Sequence, residues 1–96
     1  MKIQVLEDAQ RDLIEGSKFY EAQEAGLGDY FLDSLFSDID SLQLYAGIHP
    51  WHFGYQRLLS KRFPFAIYEL VEGNIVQVWA VLDCRQDPES IKHKLG

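Results

Sequence analysis

The stretch YQRLLSKRFPFAIYELVEGNIVQVWAVLD, residues 55–83, decides the fold because it predicts three consecutive β-strands. The strands are expected at residues 55–60, 64–71 and 75–83. The Glu-Gly-Asn triplet at residues 72–74 has the composition of a tight hairpin turn. Residues 75–83 are apolar on both faces, which is typical of a central strand. The second half of the chain is therefore expected to form an antiparallel sheet.

Upstream of this stretch the apolar residues follow the period of helices. Residues 2–6 alternate and predict a short first strand. Asp8 is a candidate N-cap of a helix that runs to about residue 24. The apolar stripe of that helix is Ala9, Leu13, Gly16 and Tyr20. Residues 26–28 break the helix, and Asp29 is a candidate cap of a second one. The second stripe is Leu32, Leu35, Phe36, Ile39 and Leu42. So short a break predicts an antiparallel helical hairpin.

Two shorter segments complete the predicted order. Residues 47–54, bounded by glycines, are expected to form a loop whose Trp51 and Phe53 close the end of the helical layer. Asp87 followed by Pro88 is typical of a helix start and predicts a short helix over residues 88–95. The sequence therefore predicts an α+β fold of order β-α-α-β-β-β-α. A helical hairpin packs on one face of a mainly antiparallel sheet of about four strands, and the other face is partly open.

The polarity of the last strand predicts which of its residues face the helices. Its even-numbered residues are all apolar: Val76, Val78, Ala80 and Leu82. Its odd-numbered residues are mixed, so Gln77 and Trp79 are expected on the open side. The alternative for Trp79 is plain core packing.

Length and charge limit the class of protein. A chain of 96 residues with 47% hydrophobic and 25% charged residues predicts one globular domain, residues 1–96. The net charge of −6 argues against a general nucleic-acid binder. Residues 1–48 carry a net −7 and residues 49–96 a net +1, which suggests specialised surfaces or simply more solvated helix. Cys84 is alone, which excludes an internal disulfide and fits the cytoplasm. No signal peptide and no membrane span are predicted.

Three stretches together resemble the RelE/ParE toxin superfamily. The first contains Ala9, Asp12, Leu13, Glu15, Gly16, Phe19, Tyr20, the Gly26-to-Asp29 break and Phe31. The second is residues 55–59 followed by residues 61–68, and the third is residues 81–88. They cover nearly the whole chain in the family's order, and their joint spacing is more specific than any single motif. The chain is most similar to the small ParE-like proteins often called plasmid stabilisation proteins.

The resemblance implies a cytoplasmic toxin of a type II toxin–antitoxin system. In that superfamily a small antitoxin wraps its C-terminal segment around the toxin and neutralises it. ParE-like members inhibit DNA gyrase by binding, whereas RelE-like members cut messenger RNA at the ribosome. The resemblance therefore implies a binding inhibitor of a target such as gyrase, with two alternatives: a ribosome-dependent endoribonuclease, or a decayed member without toxicity.

RNA cleavage needs cations for the developing charge and a proton-transfer group. The candidate cations are Arg57, Lys61, Arg62 and Arg85, the last at a position where the RelE pattern also carries arginine. Arg57 and Lys61 share a face if their strand extends that far. The alternatives are that Lys61 and Arg62 are solvated turn residues and that Arg85 pairs with Asp83 or Asp87. RelE-like nucleases commonly carry Tyr or His soon after the last strand. Here the first such residue is His93, which argues against a nuclease.

The open sheet face is the expected seat of the antitoxin. A helix of the antitoxin would place apolar residues on this face and acidic residues on its cations. The expected contacts are Arg57, Lys61, Arg85 and Trp79. His49 and His52 could both bind a metal ion, but two ligands are too few for a structural zinc site. No metal site and no cofactor is therefore predicted.

Overall fold

The computed structural model describes residues 1–96 and contains a five-stranded sheet with helices on both faces. The elements in chain order are β1 (Lys2–Val5), α1 (Glu7–Gln23), α2 (Leu27–Asp40), α3 (Leu42–Tyr45), β2 (Trp51–His52), β3 (Tyr55–Leu59), β4 (Phe65–Glu72), β5 (Ile75–Asp83) and α4 (Pro88–Leu95). The strand order across the sheet is β1-β5-β4-β3-β2. Only the β1–β5 pair is parallel. The predicted α+β class is confirmed, with β5 in the interior of the sheet.

The predicted strand count is wrong by one. Residues 51–52, expected in a loop, form β2 and pair with Tyr55 and Gln56 of β3 across a turn. Phe53 and Gly54 both adopt positive φ in that turn. Trp51 and Phe53 do not close the helical layer, because their side chains are 64% and 42% exposed at this edge.

The helical hairpin forms as predicted, but neither of its expected N-caps does. Helix α1 begins one residue before Asp8, which instead lies in the first turn and pairs with Arg11 at 3.3 Å. Helix α2 begins at Leu27 after Gly26, whose φ of 88° makes the tight turn between the helices. The carboxylate of Glu21 accepts hydrogen bonds from the backbone N–H groups of Gly26 and Gly28. A side chain from the preceding helix therefore replaces the local cap.

The apolar stripe of α2 is rotated from the predicted one. Phe36 is 45% exposed, whereas Phe31 is fully buried beneath α1. The main core lies between the hairpin and the sheet. Its buried members are Ala9, Leu13, Tyr20, Phe31, Leu35, Ile39, Leu42, Phe65, Ile67, Val76, Val78 and Val81.

A smaller core lies on the opposite face of the sheet, under α4. Its buried members are Ala66, Tyr68, Ala80, Leu82 and Ile91. Helix α4 forms over the predicted residues, and the Asp87 carboxylate caps it by accepting from the N–H of Glu89 at 3.1 Å. Cys84 directly follows β5 and is half-buried against this second core. The second face is thus partly covered.

A β-bulge at Trp79 allows β5 to serve both cores. Tyr68 of β4 pairs with Ala80 and Glu69 pairs with Val78, so Trp79 has no partner on β4. The extra residue reverses the alternation of side chains. The predicted facing is therefore correct for Val76 and Val78, which lie in the main core. It is wrong for Ala80 and Leu82, which lie in the core under α4.

Candidate functional site

The uncovered part of the second sheet face centres on Tyr55 and Trp79. Their ring centroids are 5.9 Å apart, and Trp79 remains 38% exposed. The Tyr55 hydroxyl donates to the carbonyl oxygen of Leu95 at 3.1 Å, which fixes the end of α4 beside the two rings. This places Trp79 on the α4 side of the sheet, which is the open side predicted from the alternation of β5.

Two grooves flank the end of α4 and share Tyr55 and Leu95. The first has a volume of about 430 Å³ and lies between α1, β5 and α4. Its lining comprises Asp8, Arg11, Asp12, Glu15, Tyr55, Trp79, Ala80, Leu82, Lys94, Leu95 and Gly96. The second, of about 480 Å³, is lined by Phe53, Gly54, Tyr55, Leu70, Lys92, Leu95 and Gly96. We call the exposed surface of Phe53, Tyr55, Leu70, Trp79 and Leu95 the open face. It combines apolar side chains with charged residues at its rim.

Asp12 forms the wall of the first groove where β5 is not paired with β1. Strand β1 pairs with β5 only as far as Val78. The Asp12 carboxylate accepts a hydrogen bond from the N–H of Val81 at 3.0 Å. Burial is the main reason that the pKa of Asp12 rises to about 6, and Glu15 adds to the rise. A side chain of α1 thus substitutes for a neighbouring strand.

Arg57 is half-buried on the same sheet face as Tyr55. It lies directly opposite Tyr68, whose side chain is fully buried and whose hydroxyl has no hydrogen-bond partner in the protein. Burial raises the pKa of the Tyr68 phenol, and the charge of Arg57 partly offsets that rise. Arg57 is therefore placed next to the open face.

Lys61 and Arg62 lie elsewhere. Strand β3 ends at Leu59, so the condition under which Lys61 would share a face with Arg57 is not met. Both side chains are exposed in the turn after β3, beside α2. The guanidinium carbon of Arg62 lies 5.9 Å from the centroid of the Tyr30 ring. These two cations face the helical hairpin.

Arg85 is engaged by Asp83. Its Nε and Nη2 donate to the two carboxylate oxygens of Asp83 at 3.0 and 2.7 Å, and its backbone N–H donates at 2.8 Å. These hydrogen bonds lower the pKa of Asp83. The pairing with Asp83 is one of the alternatives weighed from the sequence.

His93 is exposed on α4 and lines a surface depression with Glu89, Lys92 and Gly96. The structure therefore does not gather the five candidate catalytic residues at one point.

One buried contact between a carboxyl group and an imidazole was not predicted from the sequence. Glu69 is fully buried in β4, and its Oε1 lies 2.6 Å from Nδ1 of His49. Burial raises the pKa of Glu69, and the charge of His49 opposes the rise. Gln56, the residue opposite Glu69, donates to the His49 carbonyl oxygen at 3.2 Å. The available signal was a single acidic residue inside the apolar run FAIYELV at residues 65–71.

The Nδ1 atom of His49 thus lies against a carboxylate without a well-directed hydrogen bond. The structure contains no group of three or more His, Cys, Asp or Glu side chains suited to a metal ion. None of its helices combines the length and the apolar character that crossing a membrane requires.

Comparisons with known proteins identify the fold. No protein-family model and no curated protein matches the chain. Among solved structures, a chain of a chromosomal ParDE toxin–antitoxin system from P. aeruginosa aligns with a TM-score of 0.71 and 19% sequence identity. The alignment covers 84% of this chain and 92% of that chain. The resemblance inferred from the sequence motifs is therefore confirmed at the level of the fold, which this protein shares with a chain of a ParDE system.

Proposed function

We propose that this chain is the toxin component of a type II toxin–antitoxin system, that it inhibits a macromolecular target such as DNA gyrase by binding, and that a cognate antitoxin neutralises it in the cytoplasm. The observation that carries the proposal is the open face, where Tyr55 and Trp79 stay accessible between two grooves. The ParDE fold neighbour supports the same class of function.

The antitoxin occupies the open face in this proposal. Partly exposed aromatic rings beside grooves are typical anchors for a partner helix, because they bury much apolar area with little loss of side-chain entropy. Trp79 supplies the apolar anchor, and Arg57 supplies a charge for an acidic residue of the partner. Lys61 and Arg85 lie outside the open face, so they contact only the flanks of a longer partner segment.

The placement of the cations supports binding rather than RNA cleavage. Arg57 lies on the sheet face, Lys61 and Arg62 lie beside α2, and Arg85 is held by Asp83. Phosphoryl-transfer chemistry needs such groups within hydrogen-bond reach of one reacting phosphate. The proposed mode of action is therefore inhibition by contact.

Inducible expression tests the toxin role. Expression of the chain alone should arrest growth, and co-expression of a small reading frame adjacent to its gene should relieve the arrest. Growth that continues without the antitoxin would contradict the toxin role and favour a decayed protein.

A supercoiling assay with purified, antitoxin-free protein tests the gyrase target, with inhibition expected at micromolar concentration. Primer extension on translated messenger RNAs tests the alternative function, that of a ribosome-dependent endoribonuclease. Cuts that disappear in Arg85→Ala, without inhibition of supercoiling, would replace the binding mechanism by cleavage.

A further inference from the structure

A small polar cavity lies between α2 and the turn that joins β3 to β4. Its volume is about 140 Å³, and every lining residue is polar or charged: Ser34, Ser37, Asp38, Lys61 and Arg62. At the ~30 Å³ that a water molecule occupies in the liquid, this is room for about four to five waters. The cavity is separate from the open face, because none of its lining residues contributes to either groove there.

The hydroxyl of Ser34 is the feature that needs a ligand. Ser34 is 5% exposed, and its Oγ makes no hydrogen bond within the protein. A buried hydroxyl without a partner is unfavourable, and native proteins rarely leave one unpaired. Ser37 lies three residues after Ser34, on nearly the same side of α2, and lines the same cavity. The two hydroxyls can both donate to one acceptor group.

Two cations stand at the same cavity without an acidic partner within 4.0 Å. Lys61 and Arg62 are exposed, and neither takes part in an ion pair. The position of Arg62 near the Tyr30 ring keeps its guanidinium on the α2 side. Adjacent Lys and Arg side chains beside serine hydroxyls are the donors that tetrahedral oxyanions require.

Asp38 adds selectivity among anions. It is 6% exposed, and its Oδ2 already accepts from the Ser60 hydroxyl at 2.7 Å and from the Lys61 N–H at 3.4 Å. An anionic ligand can hydrogen-bond to the other carboxylate oxygen only if that ligand carries a proton. Inorganic phosphate keeps a proton at neutral pH, and a phosphate monoester is still partly protonated near pH 6, whereas sulfate has no proton to donate. A carboxylate in the wall therefore favours phosphate over sulfate.

We propose that this cavity binds a phosphate group, with Ser34, Ser37, Lys61 and Arg62 as donors and Asp38 as the acceptor of a phosphate proton. The site does not depend on the toxin role. The phosphate comes either from the free ion or from a small phosphorylated molecule such as a mononucleotide.

Amide NMR titrations of the full chain near pH 6 test the site at constant ionic strength. Inorganic phosphate should produce saturable shifts at Ser34, Ser37 and Lys61, and sulfate should bind at least about tenfold more weakly. AMP is the second ligand: binding of AMP tighter than that of phosphate assigns the site to a phosphorylated molecule, and the reverse order assigns it to the free ion. Shifts that do not saturate, or equal binding of sulfate, would overturn the proposal.

Variants separate a ligand site from a structural polar cluster. Lys61→Gln with Arg62→Gln should weaken phosphate binding at least about tenfold. Lys2→Gln with Lys18→Gln removes the same charge from two other exposed lysines and should leave the affinity unchanged. Ser34→Ala should weaken binding several-fold. Unchanged phosphate affinity in Ser34→Ala, together with a raised melting temperature, would show that the hydroxyl is only an unpaired core group and would overturn its role.

Discussion

The carboxylate of Asp12 accepts a hydrogen bond from the backbone N–H of Val81 at 3.0 Å, on the part of β5 that β1 does not reach. One residue of α1 thereby closes the sheet edge that lines the first groove. Because this carboxylate is partly buried, its charge is unfavourable in the folded state, and its protonation links the stability of the protein to pH.

Asp12→Asn is expected to stabilise the protein at about pH 8. Burial raises the folded-state pKa of Asp12 from 3.8 to about 6, so the protonated form is favoured by folding. The protonated Asp12 carboxyl contributes its full stabilisation below the unfolded-state pKa of 3.8. That contribution is lost as the pH rises through about 6. After a discount for partial exposure the gain should be about 1 kcal/mol. Urea unfolding measures it.

The same unfolding series at about pH 4 or below should show no gain for Asp12→Asn, because the wild-type carboxyl is then protonated. Asp33→Asn, at an exposed position on α2, is the control and should change stability little at either pH. A destabilisation by Asp12→Asn that is equal at both pH values would mean that the hydrogen bond, not the charge, governs the effect.

His49→Ala is expected to destabilise the protein by about 3 kcal/mol near pH 7, because it leaves Glu69 buried without a partner. Since burial raises the pKa of Glu69, the loss should shrink as the pH falls and the carboxyl is protonated. Adding Glu69→Gln should recover part of the loss. His52→Ala is the control, since no ion pair involves that residue. A loss independent of pH would contradict the role of the Glu69 charge.

Gly16→Ala and Gly28→Ala should both destabilise the helical hairpin. A Cβ at Gly16 would lie 2.6 Å from Cζ of the buried Phe31, and one at Gly28 would lie 2.6 Å from the backbone oxygen of Ser17. Overpacking costs about 1–3 kcal/mol, and the better helix propensity of alanine returns up to ~1 kcal/mol. Thermal unfolding should show the larger loss for Gly28→Ala, because a backbone atom yields less than a ring. A rise in melting temperature would contradict this packing.

Trp79→Ala should weaken antitoxin binding by more than about tenfold if the open face is the docking surface. Trp51→Ala is the matched control, because Trp51 is the other tryptophan, is 64% exposed and lies at the β2 edge away from the open face. Calorimetric titration with the antitoxin measures both. A stronger effect of Trp51→Ala would move the docking surface to the β2 edge.

The elements with clear local signals were predictable. The Glu-Gly-Asn turn, the bounds of β5 and the Asp87-capped helix all follow from short-range chemistry. The bulge was not, because Val76, Val78, Ala80 and Val81 are all apolar and fit either phase of the alternation. Strand β2 has only two residues, too few for a periodicity.

The candidate site was predictable only in those features that depend on the residue types and on residues close together in the sequence. Trp79 on the open side and the Arg85–Asp83 pair could be foreseen, since alternation and a two-residue separation suggest them. The His49–Glu69 pair joins residues far apart in sequence, and the contact of Asp12 with Val81 spans most of the chain. Such contacts depend on tertiary packing, which periodicity does not encode.

The unpaired residue at position 79 makes the docking of the C-terminal helix depend on the bulge in β5. If β5 ran without the bulge, Trp79 would pair with Tyr68, and Ala80 and Leu82 would turn toward the helical hairpin. Ile91 would then lose its apolar platform although no residue of α4 had changed. Deletion of Trp79, by contrast, would place Ala80 directly after Val78 in register and leave that platform under α4. The position of one helix, and with it one wall of both grooves, is thus set by the phase of a strand that the helix only covers.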